Sequence, residues 1–122
     1  MSQLNLPHQA PLIFAKKKIN LTKDDAIVLC EFDTIPTLAM FIEASAQASS
    51  VFETDEIQTP KIGFLTKTKD IKLLCDIKEK SYNIHLKKEV EIGNIKQFSF
   101  EAFSEKSDIK VVSGSFTVLV QE

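Results

Sequence analysis

One carboxylate stands inside the longest apolar stretch of this sequence. Residues 35–52 read IPTLAMFIEASAQASSVF, and Glu43 is the one charged residue among them. The residues three and four positions away, which would share a helical face with Glu43, are uncharged, so no ion pair along a helix can offset its burial. We interpret Glu43 either as a solvated group on an exposed strip or as a carboxyl group in a partly dry cleft. A carboxyl group in such a cleft would suit general acid–base catalysis or ligand binding.

Few other side chains could join Glu43 in catalysis. Of the two histidines, His8 lies between two prolines, where it could form a turn or act as a second catalytic group. His85 falls on the polar side of an alternating segment, which indicates a surface position. Cys30 and Cys75 are far apart and have no metal-ligand spacing, so we expect free thiols, no metal site and no cofactor.

Length and composition restrict the class of protein. The chain has 122 residues, enough for a single domain over residues 1–122, and 43% of them are hydrophobic. A net charge of −2 argues against a nucleic-acid partner, because phosphate binding needs an excess of lysine and arginine. We find no signal-peptide pattern and no apolar run long enough to span a membrane, so we expect a cytoplasmic protein.

Hydrophobic periodicity predicts two strands, a long helix and four more strands. The predicted strands cover residues 12–15, 26–32, 61–74, 82–92, 95–103 and 109–120, with Gly63 as a bend or bulge and Gly93-Asn94 as a hairpin turn. The predicted helix begins after capping residues at 33–36 and runs to about Phe52, buried on all sides. We expect an α+β fold in which an antiparallel sheet wraps around one central helix. Uncovered sheet edges then favour a homodimer.

Two short motifs carry a resemblance to a known family. Residues 43–47, EASAQ, match the E-x-x-A-Q of the central helix in 3-hydroxyacyl-ACP dehydratases of the hotdog fold. Residues 6–13, LPHQAPLI, resemble the opening segment of the same enzymes. The resemblance implies a hotdog fold, two subunits joined through their sheets, and an acyl thioester bound at the subunit interface.

The resemblance also assigns roles to residues. The N–H groups of Thr37 and Leu38, behind Pro36, become candidates for binding the thioester oxygen at the helix N-terminus. Glu43 takes the catalytic carboxylate position and Gln47 the position that braces it. The segment Gly63, Phe64 and Leu65 would line the acyl channel.

The sequence departs from the family at one important place. The dehydratases carry a histidine in a glycine-rich loop before the helix, and residues 29–36 here, LCEFDTIP, have neither residue type. In lacking the histidine before the helix, the chain resembles the dehydratase-like proteins of aryl-polyene gene clusters. We therefore keep three hypotheses: a dehydratase that pairs Glu43 with His8, a non-catalytic acyl-binding or accessory subunit, and a thioesterase.

The expected partner is an acyl carrier protein or a coenzyme A thioester. Acyl carrier proteins are acidic, so a basic rim would favour them. Two lysine clusters could supply one, residues 16–18 and Lys67 with Lys69 and Lys72. A solvated surface explains either cluster equally well. A heterodimer with a related hotdog subunit is the alternative to a homodimer.

Overall fold

The chain forms one sheet and one main helix. The computed structural model describes residues 14–49, 51–54 and 63–120. The elements are β1 (Ala15–Leu21), β2 (Asp25–Glu31), α1 (Leu38–Ala48), α2 (Val51–Thr54), β3 (Gly63–Leu73), β4 (Ser81–Ile92), β5 (Ile95–Ser104) and β6 (Lys110–Val120). The strand order is β1-β2-β4-β5-β6-β3, and every neighbouring pair is antiparallel. Helix α1 contacts both edge strands, β1 and β3, so the sheet curves around it as the sequence predicted.

Strands β4 and β5 form the most regular part of the sheet. Tyr82, Ile84 and Leu86 are buried, whereas the residues between them face the other side, which confirms the predicted alternation. The hairpin turn falls at Gly93-Asn94, and Gly93 has φ +60°. A two-residue turn with this backbone matches the twist of the strands, and glycine adopts it without steric cost.

Small residues let α1 approach the sheet closely. The helix buries one face, formed by Phe41, Ala44, Ser45 and Ala48. The Ser45 hydroxyl donates to the Phe41 carbonyl at 2.8 Å, so this buried polar group is satisfied within the helix. The Phe41 ring lies edge-on to Tyr82 with 4.8 Å between centroids. Strands β2, β4, β5 and β6 complete the core with inward side chains, among them Val28, Cys30, Ile84, Phe98, Phe100, Val112 and Phe116.

The predicted helix boundaries are wrong at both ends. The helix cap is Thr37, whose Oγ1 accepts from the Met40 N–H at 3.2 Å, so Asp33 is not the cap and Pro36 precedes the helix. Helix α1 ends at Ala48 instead of near Phe52, and a separate short helix follows. The Ser49 hydroxyl donates to the Ala46 carbonyl at 2.6 Å, an interaction that competes with helix continuation.

The prediction that the helix is buried on all sides is also wrong. Ala39 is exposed, and Met40, Ile42, Ala46 and Gln47 are half-buried. The apolar composition of the helix exceeds what the sheet of one chain covers. This incompletely covered apolar face is a further reason, beside the uncovered sheet edges, to expect a second subunit.

The edge strands deviate from their predicted positions. Strand β1 runs to Leu21, so the lysines at 16–18 lie within it rather than after it. Gly63 pairs regularly with Val120, and the register of β3 shifts instead between Leu65 and Lys67 and again between Lys69 and Lys72. At that point Asp70 adopts φ +56°.

The bulge in β3 lies over a glycine of β6. A Cβ atom on Gly114 would clash with Ile71 Cδ1 and lie 3.2 Å from Ile71 Cα. A larger residue at this position would therefore require the bulged strand and the Ile71 side chain to shift.

Candidate functional site

Glu43 lies on the face of α1 opposite the sheet. The buried face is centred on Phe41, Ala44 and Ala48, and 3.6 residues per turn place Glu43 about half a turn away from it. The side chain is half-buried. Because Cα–Cβ bonds in a helix tilt toward its N-terminus, the side chain of Glu43 leaves the helix on the side of the preceding turn.

The start of α1 offers backbone donors. Phe41 is the first residue whose N–H bonds to a carbonyl within the turn, to Thr37 at 3.1 Å. The N–H of Thr37 contacts Met40 Sδ at 3.5 Å, a weak acceptor, and the N–H of Leu38 has no acceptor inside the helix. No acidic residue lies in the first turn of α1. The helix dipole therefore favours an anion here, and Glu43 follows about 7.5 Å along the axis from Leu38.

Gln47 connects the helix to the first strand. Its Oε1 accepts from the N–H of Phe14 at 2.7 Å and from that of Ala15 at 3.4 Å. Because Gln47 is one turn beyond Glu43, the same bonds hold β1 next to the helix face that carries the carboxylate. The predicted bracing residue thus has a defined structural partner, although its role toward a substrate stays a prediction.

The predicted channel residues lie on an edge strand. Gly63 and Phe64 begin β3, paired with Val120 and Leu119 of β6. Leu65 is 39% exposed, and β3 contacts α1. The predicted site residues Leu38, Glu43 and Gln47 therefore share helix α1, and the predicted channel residues lie on the edge strand β3 that contacts this helix. Their contact with an acyl chain is not tested.

Of the two histidines, the structure describes only His85. His8 lies outside the described residues. His85 projects from the outer face of the sheet, where its ring centroid lies 4.5 Å from that of Phe103. Because α1 lies against the inner face, the sheet separates His85 from Glu43. The prediction that His85 is a surface residue fits this position.

Two of the cavities formed by described residues are well defined, and neither of these two includes a residue of α1. An open polar groove of about 530 Å³ runs over the outer face of the sheet, beside His85 and Glu101. A smaller cavity of about 340 Å³ lies at the end of the sheet where β5 ends and β6 begins.

The sequence analysis missed a polar cluster at the smaller cavity. The Ser104 hydroxyl donates to Glu79 Oε1 at 2.5 Å, and the Glu79 N–H donates to the Tyr82 hydroxyl at 3.0 Å. Ser107 N–H donates to the Ser104 hydroxyl at 3.3 Å. These residues come from the β3–β4 connection, β4 and the end of β5. The sole sequence signal was the inward periodicity of Tyr82, which indicated a core residue.

The two thiols are free, as predicted, but differ in reactivity. Cys30 is fully buried on β2, and burial raises the pKa of its thiol to about 12. Cys75 is exposed at the end of β3, and its thiol donates to the Lys110 carbonyl at 3.7 Å. Reaction with a thiol reagent at neutral pH should therefore occur at Cys75, because the nucleophile is the thiolate.

The described residues contain no group of three or more side chains able to hold a metal ion. No helix in the described ranges is both long and apolar enough to cross a membrane.

Comparison with known proteins finds similarity at the level of structure. No protein-family model and no curated protein matches the sequence. The dehydratase heterocomplex ApeI:P from Xenorhabdus doucetiae superposes with a TM-score of 0.66 at 14% identity, over 96% of this chain and 88% of that one.

Two streptococcal structures are also similar. The protein smu.793 from Streptococcus mutans, bound to acetyl CoA, gives a TM-score of 0.64 at 14% identity over 99% of this chain and 95% of that one. A hypothetical thioesterase from Streptococcus pneumoniae, with coenzyme A, gives 0.61 at 10% identity over 86% and 84%. At such identities these similarities show the fold alone. The six-stranded antiparallel sheet around a central helix is an α+β hotdog fold, as predicted.

Proposed function

We propose that this protein binds acyl thioesters of coenzyme A or acyl carrier protein at the open face of α1 and dehydrates 3-hydroxyacyl thioesters. One observation carries the proposal: Glu43 lies half-buried opposite the sheet-packed face of α1, on the same helix as the N-terminal N–H groups. The hotdog neighbours that are a dehydratase, or are bound to coenzyme A, support it.

The chemistry follows from this arrangement. A thioester carbonyl near the N–H groups of Thr37 and Leu38 would be stabilised as negative charge develops on its oxygen. A base then removes the C2 proton, the C2–H electron pair forms the C2=C3 double bond, and the C3–O bond breaks. Proton donation to the departing hydroxyl releases water. We assign these proton transfers to Glu43 and, as the second group, to His8.

Substitution of Glu43 tests the assignment. Purified protein is incubated with a 3-hydroxyacyl thioester of coenzyme A, and the enoyl product is followed by absorbance. We expect Glu43→Gln to reduce the rate about 10²- to 10⁴-fold, because the amide cannot exchange the proton. His8→Ala is expected to reduce it about 10²-fold or more.

A matched control is available on the same chain. Glu105 lies exposed in the turn after β5, so Glu105→Gln makes the same chemical change far from α1 and should leave the rate unchanged. Equal activity in wild type and Glu43→Gln would reject the catalytic role. Release of free thiol instead of enoyl product would identify a thioesterase, in which Glu43 activates water.

A non-catalytic acyl-binding subunit is the second candidate, and the position of His85 favours it. The loop before α1 has no histidine, and the sheet separates His85 from Glu43. A protein with the fold and the oxyanion-binding N–H groups, but without a second proton carrier, would bind a thioester and leave it intact. Such a subunit could regulate or complete a related partner.

Ligand retention distinguishes the two candidates. Native mass spectrometry of the purified protein, after incubation with acyl-CoA or acyl carrier protein, measures binding without requiring turnover. A stable complex together with no enoyl product and no free thiol supports the accessory role. Absence of any complex contradicts both candidates.

The proposal includes an assembly and a biological setting. We infer a homodimer in the cytoplasm, with a heterodimer of related hotdog subunits as the alternative, because one sheet leaves much of α1 uncovered. The short loop that ends in Pro36 makes the dehydratase-like proteins of aryl-polyene clusters the nearest type in our proposal. Fatty-acid or related lipid metabolism is the corresponding setting.

A further inference from the structure

The smaller cavity is built around a buried phenol. Tyr82 is 1% exposed, and its ring lies edge-on to Phe41 and Phe32 with centroids 4.8 and 6.3 Å away. Its hydroxyl is at the wall of the cavity of about 340 Å³. Burial raises the pKa of Tyr82, so the phenol keeps its proton at neutral pH.

The hydroxyl of Tyr82 has a donor but no acceptor. Its oxygen accepts from the Glu79 N–H at 3.0 Å. Within the described ranges, no oxygen or other acceptor lies within hydrogen-bond distance of the O–H group. Buried tyrosine hydroxyls normally donate to a partner, and an unmade hydrogen bond in a buried site is unfavourable. The side chain therefore presents an unused donor to the cavity.

The competing donor in the cavity is already engaged. Ser104 is 3% exposed, and its hydroxyl donates to the Glu79 carboxylate at 2.5 Å. That bond also occupies the Glu79 oxygen nearest the cluster. Asp76, Lys78 and Ser107 also line the cavity, but Asp76 and Lys78 are exposed, so the O–H of Tyr82 is the buried donor that the cavity offers a neutral ligand.

The remaining walls are largely apolar. Val111 is buried, and Ile109 borders the cavity at its rim with 54% exposure. Val111 is an additional residue of β6, because the pairing with β5 steps from Ala102–Val112 to Phe103–Lys110. This irregularity turns Val111 into the cavity although Val112 points into the main core. A volume near 340 Å³ lies at the lower end of the range for small-molecule sites.

We propose that this cavity binds a small, mainly apolar molecule through a carbonyl or ether oxygen that accepts a hydrogen bond from the Tyr82 hydroxyl. The apolar walls supply most of the contact, and the buried donor of Tyr82 sets the orientation of the ligand. The site contains no residue of α1 and does not depend on Glu43 or on the proposed thioester chemistry.

The exposed thiol at the cavity provides a reporter of binding. Cys75 lines the cavity, whereas the buried Cys30, with its pKa of about 12, does not react under the same conditions. The rate at which Cys75 reacts with a disulfide reagent is measured with increasing acetophenone and, in parallel, ethylbenzene. The two probes have nearly the same shape, but ethylbenzene has a CH₂ group in place of the carbonyl.

We expect acetophenone to protect Cys75 at about fivefold lower concentration than ethylbenzene, the effect of one net hydrogen bond. In Tyr82→Phe, which keeps the ring packing, the two probes should protect equally. No protection by acetophenone up to its solubility limit, equal protection by both probes in the wild type, or a preference for acetophenone retained in Tyr82→Phe would each overturn the proposal.

A second variant guards against misfolding of Tyr82→Phe. Ile109→Trp adds volume at the exposed rim of the cavity and should abolish protection by acetophenone without altering thermal unfolding. Persistent protection in this variant also contradicts the site. Glu43→Gln should leave the protection unchanged, so the result is independent of the outcome for dehydration.

Discussion

The two faces of α1 have different chemistry and different surroundings. The face toward the sheet consists of Phe41, Ala44, Ser45 and Ala48, all completely buried. The opposite face carries Glu43 and Gln47, both half-buried, with the exposed Ala39 beside them. The first face explains how the helix is held, and the second contains the groups that could act on another molecule.

This contrast shows why an apolar helix can contain a functional carboxylate. Four positions of α1 are completely buried, and its other apolar residues, among them Met40 and Ile42, are at most half-buried against the core of their own chain. A residue that contributes little to folding is free to be selected for chemistry. If this interpretation is correct, substitutions on the two faces should separate stability from function.

The largest expected effect is on the sheet-facing side. Phe41→Ala removes a ring that packs against Tyr82 and Phe32, and should lower the free energy of unfolding by about 3–5 kcal/mol. Urea unfolding followed by circular dichroism measures it. Phe41→Leu, which leaves a smaller cavity, should lose less than half as much. A loss below about 1 kcal/mol for Phe41→Ala would show that this face does not hold the helix.

A pH titration tests whether the space under the helix is dry. Burial raises the pKa of the Cys30 thiol from about 9, its value in an unfolded chain, to about 12, so the folded state holds the neutral thiol. The corresponding stability is complete below pH 9 and is lost as the pH rises from 9 toward 12, because the unfolded thiol ionises first. The free energy of unfolding should fall by about 1.4 kcal/mol per pH unit in this window.

Cys30→Ala is the control for that titration. Burial also raises the pKa of Tyr82, so part of the alkaline loss should remain in the variant. The slope should nevertheless be shallower than in the wild type over the same window. Identical slopes would mean that water reaches Cys30 in the folded state.

The connection between the open face and β1 should have an intermediate effect. Gln47→Ala leaves the N–H groups of Phe14 and Ala15 without their acceptor and should destabilise the fold by about 1–2 kcal/mol in chemical unfolding. Gln47→Glu retains an oxygen at the same place and should lose less. Equal losses would assign the effect to something other than the accepted hydrogen bonds.

The smallest expected effect on stability belongs to Glu43. Because its side chain is half-exposed and opposite the packed face, Glu43→Gln should change the free energy of unfolding by no more than about 0.5 kcal/mol. Differential scanning calorimetry of both proteins provides the measurement. A loss above about 1 kcal/mol would make Glu43 a structural residue and weaken the functional contrast between the two faces.

Local patterns were sufficient to predict most of the sheet. The alternation from Tyr82 to Leu86 and the Gly93-Asn94 turn identified the β4–β5 hairpin, because both signals depend on neighbouring residues. The helix boundaries were less predictable. Asp33, Thr34 and Thr37 are all capable caps, and the choice of Thr37 depends on how the chain leaves β2.

Contacts between distant segments could not be predicted. The bond between Ser104 and Glu79 joins residues 25 positions apart, and that between Phe14 and Gln47 joins residues 33 apart. Each depends on strand order and register, which one sequence does not specify. Glu43 was identifiable because an isolated charge in an apolar run is visible in the sequence itself.

Gly114 shows that a position can be important for packing although its residue carries no functional group. The half-buried glycine accepts the bulge of β3 at a distance where a methyl group would force Ile71 to shift. In a library of random variants, this codon should therefore tolerate large residues poorly, although the glycine has no side chain to take part in a reaction. Poor tolerance at Gly114 would reflect the packing of an edge strand and not catalysis. Tolerance data must therefore be compared with the backbone structure before they are used to locate an active site.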